Sequence, residues 1–494
     1  MDDAPAPSNP KVFVSSIANS TAASRTPMMA LSHSGNSDPG TAYEPRGFSH
    51  PVNTGWTARA GFIIFKTHVL RNHSFNPQEI SSSFGRIQSK YLSWCAGIIL
   101  AAAGLCRADD FSAQRQLVEN LARLTEAPAM READGFPAAG EIKAIYFDAL
   151  EWKGKPTKVF AWLGVPKNPS GKVPGIVLVH GGGGTAFLSW VQEWNDRGFA
   201  AIAIAVEGQT SNHPEGASKG WKRHESGGPG RVGIYGDSKE PLRDQWMYHA
   251  VADTVLSHSL LRSLPGVDPE KIGIMGISWG GVITSTVIGI DSRFAFAIPT
   301  YGCGDLSMAG NQYGRALGDN LLYQQVWDPI LRLDRAKLPV LWLSWPQDKH
   351  FPLNHQAASY RRASGPHMVT LIPNMGHGHG PARKRPESYA FAQSIVTDGT
   401  PWCRQTEAGA DGNAARVVFS LSKPLDRATL VSTTGSGITG SRTWLESPAK
   451  LEEKGGRWHA TATLSEGTTA WFINVHSGAL VSSSDFQETS APSQ

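Results

Sequence analysis

Short apolar runs alternate with helix-like stretches between about residues 170 and 400. The runs are nearly continuous rather than alternating, which is typical of strands buried on both faces of a parallel sheet. They are GIVLVH (175–180), AAIAIAV (200–206), IGIMGI (272–277), FAFAIPTY (294–301), VLWLSW (340–345) and MVTLIP (368–373). Between them lie the helix-like stretches, at 186–196, 245–264, 280–289, 353–363 and 386–397. The alternation predicts a doubly wound, mostly parallel α/β sheet with right-handed crossovers.

Different patterns flank this body. A helical stretch from residue 109 leads into a predicted hairpin, EIKAIYFDALEW and TKVFAWLGVP, split by a turn. Past residue 405 the chain changes to short alternating segments separated by Gly, Ser and Pro turns, which predicts a small immunoglobulin-like β-sandwich. We therefore place an α/β domain at 109–404 and a β-sandwich domain at 405–494. We expect the second to brace the first, with polysaccharide binding as the alternative.

The first 108 residues contain the features of an export signal. Arg86 and Lys90 precede an apolar run from about Leu92 to Leu105, and Cys106-Arg107-Ala108 offers small residues for cleavage after Ala108. The run is shorter than the about 20 residues that a membrane-spanning helix needs. We predict a signal peptide at 86–108, hence a secreted or periplasmic protein. A short buried helix is the alternative. The region 1–85 is predicted to be a disordered extension or a start site assigned too far upstream.

Charge and cysteine content exclude several classes of partner. The net charge of the 494 residues is +4. Residues 1–108 hold nine basic and five acidic residues, so the remainder is neutral, and we expect neither nucleic acid nor an anionic membrane as partner. Cys95 and Cys106 would leave with the signal. Cys303 and Cys403 would remain, either joined or as buried thiols. No Cys-x-x-Cys or His-rich spacing indicates a metal, and we predict no cofactor.

One pentapeptide suggests catalytic chemistry. Gly276-Ile277-Ser278-Trp279-Gly280 fits G-x-S-x-G and lies between a predicted strand and a predicted helix, where a nucleophile elbow must lie. The pattern alone is weak in a chain with 52 Gly. Upstream, His180 and Gly181–Gly184 follow another strand. That position predicts a loop that supplies backbone N–H groups for an oxyanion hole, completed by the N–H of Trp279.

Two further strands end in suitable partners for Ser278. Asp348 follows VLWLSW, and His377 and His379 follow MVTLIP, which gives the order Ser, Asp, His of α/β-hydrolases. We predict Ser278 as nucleophile, Asp348 as acid and His377 as base, with His379 as the alternative base. Asp305 and Asp334 are weaker candidates for the acid.

Long connections at 207–244 and 302–336 follow predicted strands, a position that often builds a ligand site or its lid. Trp221, Trp246, Tyr301 and Trp327 lie in or beside them and are candidate stacking platforms for a substrate.

The motifs HGGGG, GISWGG, WPQDKHFP and NMGHGHG resemble those of secreted α/β-hydrolases over roughly residues 140–400. The chain is similar to the branch that holds acetylxylan esterases, dienelactone hydrolase-like proteins and prolyl-oligopeptidase-like hydrolases. TYGCGDL and the ending AWFINVHSGALVSSSDF resemble bacterial acetylxylan esterases with a C-terminal β domain. The resemblance implies the same triad, with the backbone N–H groups of Gly182 and Trp279 as oxyanion donors. Dienelactone hydrolases proper use a cysteine nucleophile, so the serine here favours carboxylic esters.

These features are compatible with three functions. We expect an exported serine carboxylic-ester hydrolase that deacetylates polysaccharide, with an acylated carbohydrate or another small ester as substrate. A prolyl-oligopeptidase-like peptidase is the second hypothesis, although only about 30 residues precede the first hairpin strand after the cleavage site, fewer than one propeller blade of about 40–45 residues. A non-catalytic binding protein with the same fold is the third.

Overall fold

The computed structural model of the protein describes residues 111–167 and 171–489. The predicted N-terminal extension (1–85) and the predicted signal peptide (86–108), with Cys95 and Cys106, lie outside the described residues.

The α/β part is built on a mixed sheet. Its strands are β1 Met130–Glu132, β2 Ile142–Trp152, β3 Lys155–Gly164, β4 Val173–Val179, β5 Ala200–Ile204, β6 Val267–Ile277, β7 Phe296–Thr300, β8 Val340–Ser344 and β9 His367–Leu371. Strands β5, β4, β6, β7, β8 and β9 lie side by side in parallel. Strands β1, β2 and β3 continue the sheet beyond β5 in antiparallel pairing. The predicted α/β sheet is confirmed, with an antiparallel margin that makes it mixed.

The helices predicted from the sequence are found, together with a short helix in the connection 302–336 and another, at 379–383, that the sequence did not predict. They are α1 Ser112–Glu119, α2 Leu188–Asn195, α3 Trp246–Ser263, α4 Trp279–Val287, α5 Gln312–Leu317, α6 Leu353–Arg362, α7 His379–Arg383 and α8 Pro386–Asp398. The ends of α8 show why the boundaries were legible in the sequence. The fixed φ of Pro386 suits a first helical turn, and Gly399 accepts the left-handed φ of 72° that terminates the helix.

The C-terminal segment is antiparallel throughout its described strands. They are β10 Cys403–Asp411, β11 Ala414–Leu421, β12 Arg427–Thr433, β13 Leu445–Lys454, β14 Arg457–Thr463, β15 Ala470–Ser477, β16 Leu480–Ser483 and β17 Gln487–Glu488. Strand β13 belongs to two sheets, because its first half pairs with β12 and its second half with β14. The immunoglobulin-like assignment and the domain boundary near residue 405 stay predictions.

These C-terminal strands are joined directly to the edge of the α/β sheet. Strand β16 lies antiparallel to β9, where Ser483 faces Val369. The Leu371 N–H donates to Ser483 Oγ over 2.7 Å, and Asn474 Nδ2 donates to the Leu371 carbonyl over 3.0 Å. Thr370 Oγ1 donates to the Val481 carbonyl over 3.0 Å. The edge of β9 is therefore covered rather than open to solvent.

Cys303 and Cys403 are separate buried thiols, which settles the alternative left open by the sequence. In the part of the chain that the structure describes, no helix combines the length and the apolar character that a membrane crossing requires.

Candidate active site

Ser278 occupies a strained turn between β6 and α4. Its backbone has φ 58° and ψ −117°, a conformation that non-glycine residues seldom adopt and that often marks a functional site. The turn is fixed because the Ser278 N–H donates to the Thr300 carbonyl over 2.9 Å, and the Val282 N–H donates to the Ser278 carbonyl over 3.1 Å. The side chain of Ser278 is thus presented at the carboxyl end of the parallel strands.

The glycines of the motif are required by close packing. A Cβ on Gly276 would lie 2.0 Å from the Gly280 carbonyl oxygen, and a Cβ on Gly280 would lie 2.1 Å from the Val179 carbonyl oxygen. Neither distance is compatible with a side chain. Helix α4 can therefore start directly against β4 and β6 only because both positions lack a Cβ.

Ser278, His377 and Asp348 form one chain of hydrogen bonds. His377 Nε2 lies 3.0 Å from Ser278 Oγ, and His377 Nδ1 lies 2.9 Å from Asp348 Oδ2. A carboxylate accepts hydrogen bonds and does not donate them, so Nδ1 carries the proton and Nε2 is left to accept the hydroxyl proton of Ser278. The three side chains predicted from separate strand ends are brought together in the predicted order.

Asp348 is buried and held at both oxygens. Oδ1 accepts the backbone N–H groups of His350 and Phe351 over 2.8 and 3.1 Å, and Oδ2 also accepts the Trp345 Nε1–H over 3.2 Å. Only 1% of Asp348 is accessible to solvent. These donors stabilise its negative charge and fix the oxygen that orients His377.

Tyr301 supports this arrangement in a role that the sequence did not indicate. Its ring stacks on His377 with centroids 4.4 Å apart, and its hydroxyl donates to the Gly376 carbonyl over 2.8 Å. Tyr301 therefore fixes both the ring plane of His377 and the backbone next to it. A ring buried beneath the site cannot stack on a substrate, so the stacking role predicted for Tyr301 is wrong.

The other three predicted stacking residues differ in their exposure to solvent. Trp246 and Trp327 are buried, which makes the prediction wrong for them as well. Trp221 alone of the four is partly exposed. Its Nε1 donates to the Gly183 carbonyl over 2.9 Å, and its ring stacks on His213 at 4.6 Å.

His379 supports the glycine loop rather than Ser278. The Gly181 N–H donates to His379 Nε2 over 2.9 Å, and Phe187 packs on the imidazole with centroids 5.1 Å apart. Burial, followed by the nearby charges of His377 and Arg383, lowers the pKa of His379 to about 4. A neutral ring is what this contact needs, because an imidazolium has no acceptor nitrogen.

His180 and Gln209 also contact the glycine loop and fix its backbone through hydrogen bonds. His180 Nδ1 lies 2.7 Å from the Gly181 carbonyl oxygen, and His180 Nε2 accepts the Val206 N–H over 3.1 Å. Gln209 Nε2 donates to the Gly184 carbonyl over 3.0 Å. Burial lowers the pKa of His180 to about 3, so its ring stays a neutral link. The motif drew attention to His180, whereas nothing in the sequence pattern pointed to Gln209.

The glycine loop packs against Ser278 and against Trp279, the residue that follows the serine. A Cβ on Gly181 would lie 2.8 Å from the Ser278 Cβ, so the glycine loop abuts the serine. A Cβ on Gly182 would lie 3.2 Å from Trp279 Cδ1. Trp279 is the first residue of α4, where backbone N–H groups have no partner within the helix.

The weaker acid candidates are engaged elsewhere. Asp305 Oδ2 lies 3.0 Å from His355 Nδ1, and Asp334 Oδ2 lies 3.3 Å from Arg362 Nη2. Neither is hydrogen-bonded to His377. Over residues 111–167 and 171–489, no group of three or more His, Cys, Asp or Glu side chains is arranged to hold a metal ion.

Two protein-family models match the part of the chain that contains this site. The acetyl xylan esterase family model matches residues 106–303, and the prolyl oligopeptidase family model matches residues 235–395. This protein has the α/β-hydrolase fold. The predicted resemblance to acetylxylan esterases and prolyl-oligopeptidase-like hydrolases is confirmed. Ser278 lies in both matched segments, and Asp348 and His377 lie in the second.

Solved structures similar to this α/β-hydrolase come from both groups. The acetyl xylan esterase of Paenibacillus sp. R4 shares 22% identity, covering 55% of this chain and 90% of its own, with a TM-score of 0.43. Acetyl xylan esterase 1 of Thermoanaerobacterium sp. JW/SL YS485 shares 18% identity, covering 53% and 88%, with a TM-score of 0.42. A Mycobacterium tuberculosis puromycin-hydrolyzing peptidase shares 20% identity, covering 54% and 41%, with a TM-score of 0.40. A comparison with proteins of curated function found no match to this chain.

The C-terminal segment of this α/β-hydrolase reaches the loop that carries Asp348. Thr439 Oγ1 accepts the Leu353 N–H over 2.8 Å. A Cβ on Gly440 would lie 2.1 Å from the Asp348 carbonyl oxygen. The connection between β12 and β13 is thus packed against the backbone of the predicted acid.

We expect Gly440→Ala to lower kcat for 4-nitrophenyl acetate about 10- to 100-fold. The new methyl group must displace the Asp348 backbone, and a shift of about 1 Å at a reacting group costs that much. Steady-state kinetics and a thermal melt measure the two effects separately. The matched control is Gly435→Ala in the same connection, where a Cβ would meet only side-chain atoms, the nearest at 3.3 Å. Unchanged kcat in Gly440→Ala would show that this contact does not position Asp348.

Proposed function

We propose that this protein is an exported serine carboxylic-ester hydrolase that removes acetyl groups from polysaccharide. The observation that carries the proposal is the hydrogen-bonded chain from Ser278 Oγ through His377 to the buried Asp348. The match of residues 106–303 to the acetyl xylan esterase model supports the choice of an acetyl ester.

The chain of hydrogen bonds suits a two-step acyl transfer. Ser278 Oγ attacks the ester carbonyl as His377 Nε2 takes its proton, and the carbonyl oxygen becomes an oxyanion facing the Gly182 and Trp279 amides. The bond between the acyl carbon and the sugar oxygen then breaks as the carbonyl re-forms, and His377 gives the proton to the sugar oxygen. Water, deprotonated by His377, attacks the acetyl-serine, the bond between the acyl carbon and Ser278 Oγ breaks to release acetate, and His377 returns the proton to Oγ. Asp348 stabilises the imidazolium in both steps.

A peptidase is the second candidate, because residues 235–395 match the prolyl oligopeptidase model. Enzymes of that kind gate their site with a β-propeller. Here the described residues before the β2–β3 hairpin form α1, a short 3₁₀ turn and the three-residue strand β1. The third candidate is a non-catalytic binding protein, whose function would not require the hydrogen bonds that link serine, histidine and aspartate.

The test compares substrates on the full chain. Wild-type protein is given 4-nitrophenyl acetate, acetylated xylan and a proline-containing chromogenic peptide, and is separately treated with diisopropyl fluorophosphate. Release of acetate from both acetyl substrates, with the phosphoryl label on Ser278 by mass spectrometry, is the expected result. Cleavage of the peptide in preference to both esters would favour the peptidase. A protein that neither reacts with the label nor cleaves any substrate would be a binding protein.

Export is tested separately. The segment 86–108 has the order of a signal peptide, and cleavage after Ala108 removes it. N-terminal sequencing of protein collected from outside the cytoplasm should begin at Asp109. Recovery of the intact segment 1–108 on mature protein would refute export by this signal.

A further inference from the structure

Arg231 lies against both predicted oxyanion donors. It belongs to the long connection after β5, and its Cζ is 5.6 Å from the centre of the Trp279 ring. A Cβ on Gly182 would lie 2.5 Å from Arg231 Nη2, so the guanidinium occupies the space that a side chain at 182 would fill. Arg231 is thus a cation in contact with both of the residues whose amides are the predicted oxyanion donors.

The guanidinium is held in place from two sides. Arg231 Nε lies 3.4 Å from Glu207 Oε1, and Nη1 donates to the Gly233 carbonyl. Its Nη2 donates to no other residue in the part of the chain that the structure describes. Arg231 also lies 6.0 Å from the centre of the Trp246 ring, so aromatic faces shield it from water on another side.

Among the described residues, the nearest opposite charge beside Arg231 is Glu207. The side chains of Arg231 and Glu207 are each 20% exposed, and their contact runs through Nε at 3.4 Å rather than as a close two-point pair. Burial raises the pKa of Glu207, although Arg231 opposes that shift. Partial burial strengthens the field of the guanidinium at the neighbouring amides.

We infer that Arg231 is a third oxyanion donor, whose Nη2 stabilises the tetrahedral intermediate together with the Gly182 and Trp279 amides. This inference rests on the proposed function. As Ser278 Oγ bonds to the carbonyl carbon, the C=O π electrons move to the oxygen, and the fixed positive charge lowers the energy of that anion without transferring a proton. The alternative is that Arg231 binds a carboxylate carried by the substrate, such as a uronate.

Arg231→Met is the variant that tests the charge. It keeps the packing on Trp279 but removes the guanidinium. We expect kcat/KM to fall about 100-fold on neutral 4-nitrophenyl acetate and by a similar factor on the anionic ester mono(4-nitrophenyl) glutarate, with the loss carried by kcat. The Ki of benzeneboronic acid, which forms a tetrahedral anion on Ser278, should rise by a comparable factor.

Arg262→Met is the matched control. Arg262 also contacts a glutamate, Glu270, and donates to a backbone carbonyl, but it lies at the end of α3, beside the opposite end of β6 from Ser278. It should keep wild-type kinetics. Guanidinium chloride at millimolar concentration should partly restore Arg231→Ala, whereas NaCl should not, a rescue that a merely structural arginine would not allow.

The outcomes separate the possibilities. Wild-type kcat/KM on 4-nitrophenyl acetate in Arg231→Met would overturn the inference. A loss confined to the glutarate ester would also overturn it and assign Arg231 to a substrate carboxylate. If Arg231→Met is unfolded, Arg231→Lys and the guanidinium rescue of Arg231→Ala decide by the same criteria. Failure of the proposed function would look different, because the wild type itself would then release no acetate from 4-nitrophenyl acetate or acetylated xylan.

Discussion

Ser278→Ala lowers kcat/KM for 4-nitrophenyl acetate by about 10⁴- to 10⁶-fold, the largest effect expected of any single change in this protein. Without Oγ no acyl-serine can form, and what remains is the contribution of substrate binding and the oxyanion donors to attack by water. The fold should persist, because the strained turn is held by backbone bonds to Thr300 and Val282 that alanine retains.

The control for Ser278 is Ser285→Ala, two turns further along α4. Ser285 is a fully buried serine whose Oγ has no hydrogen-bond partner in the described residues, so its loss should change neither kcat nor the melting temperature appreciably. Initial rates and thermal melts of the three proteins suffice. Residual activity in Ser278→Ala within tenfold of the wild type would mean that another group performs the attack.

His377→Ala has an expected effect nearly as large, about 10⁴- to 10⁶-fold in kcat, because no other described side chain is hydrogen-bonded to Ser278 Oγ. His379→Ala should cost only about tenfold, since it removes the acceptor for the Gly181 N–H and loosens the glycine loop. Steady-state kinetics on one ester compare them. A dead His379→Ala beside an active His377→Ala would reverse the assignment of the base.

The dependence of stability on pH in the acidic range tests the role assigned to His379 against that of His377. The pKa of His379 is lowered to about 4 from its usual 6.5, so its contribution to stability is complete above pH 6.5 and is lost as pH falls towards 4. His379→Gln keeps an acceptor that does not titrate. Between pH 6.5 and 4 the free energy of unfolding of the wild type should therefore fall by up to about 3 kcal/mol relative to this variant. If the free energies of unfolding of the wild type and His379→Gln changed equally with pH over that range, the assigned contact would be contradicted.

The sequence predicted the α/β sheet well because its apolar runs need no tertiary information. It also indicated Ser278, Asp348 and His377, because each follows a strand and parallel strands end at one edge of a sheet. Contacts made by the long connections were not predictable in this way. Arg231 and Gln209 reach their positions through loops without hydrophobic periodicity, so nothing local fixes their neighbours.

The C-terminal strands illustrate the same limit. Their alternation predicted antiparallel strands, but alternation does not name a partner, and the pairing of β16 with β9 appears only in the folded chain. The stacking role suggested for Trp246 and Trp327 failed for a related reason. Composition alone cannot separate an aromatic side chain that fills the core from one that faces a ligand.

Because the edge strand β9 is paired with C-terminal strands, the solubility of an expressed fragment should depend on where the fragment ends. A fragment ended near residue 404 would lose Ser483 and Asn474, which hydrogen-bond to β9, and would leave backbone N–H and C=O groups of that edge unpaired. Such an edge is a template for intermolecular strand pairing. Loss of solubility in a shortened chain would thus report an uncapped sheet, and not the loss of a substrate-binding module.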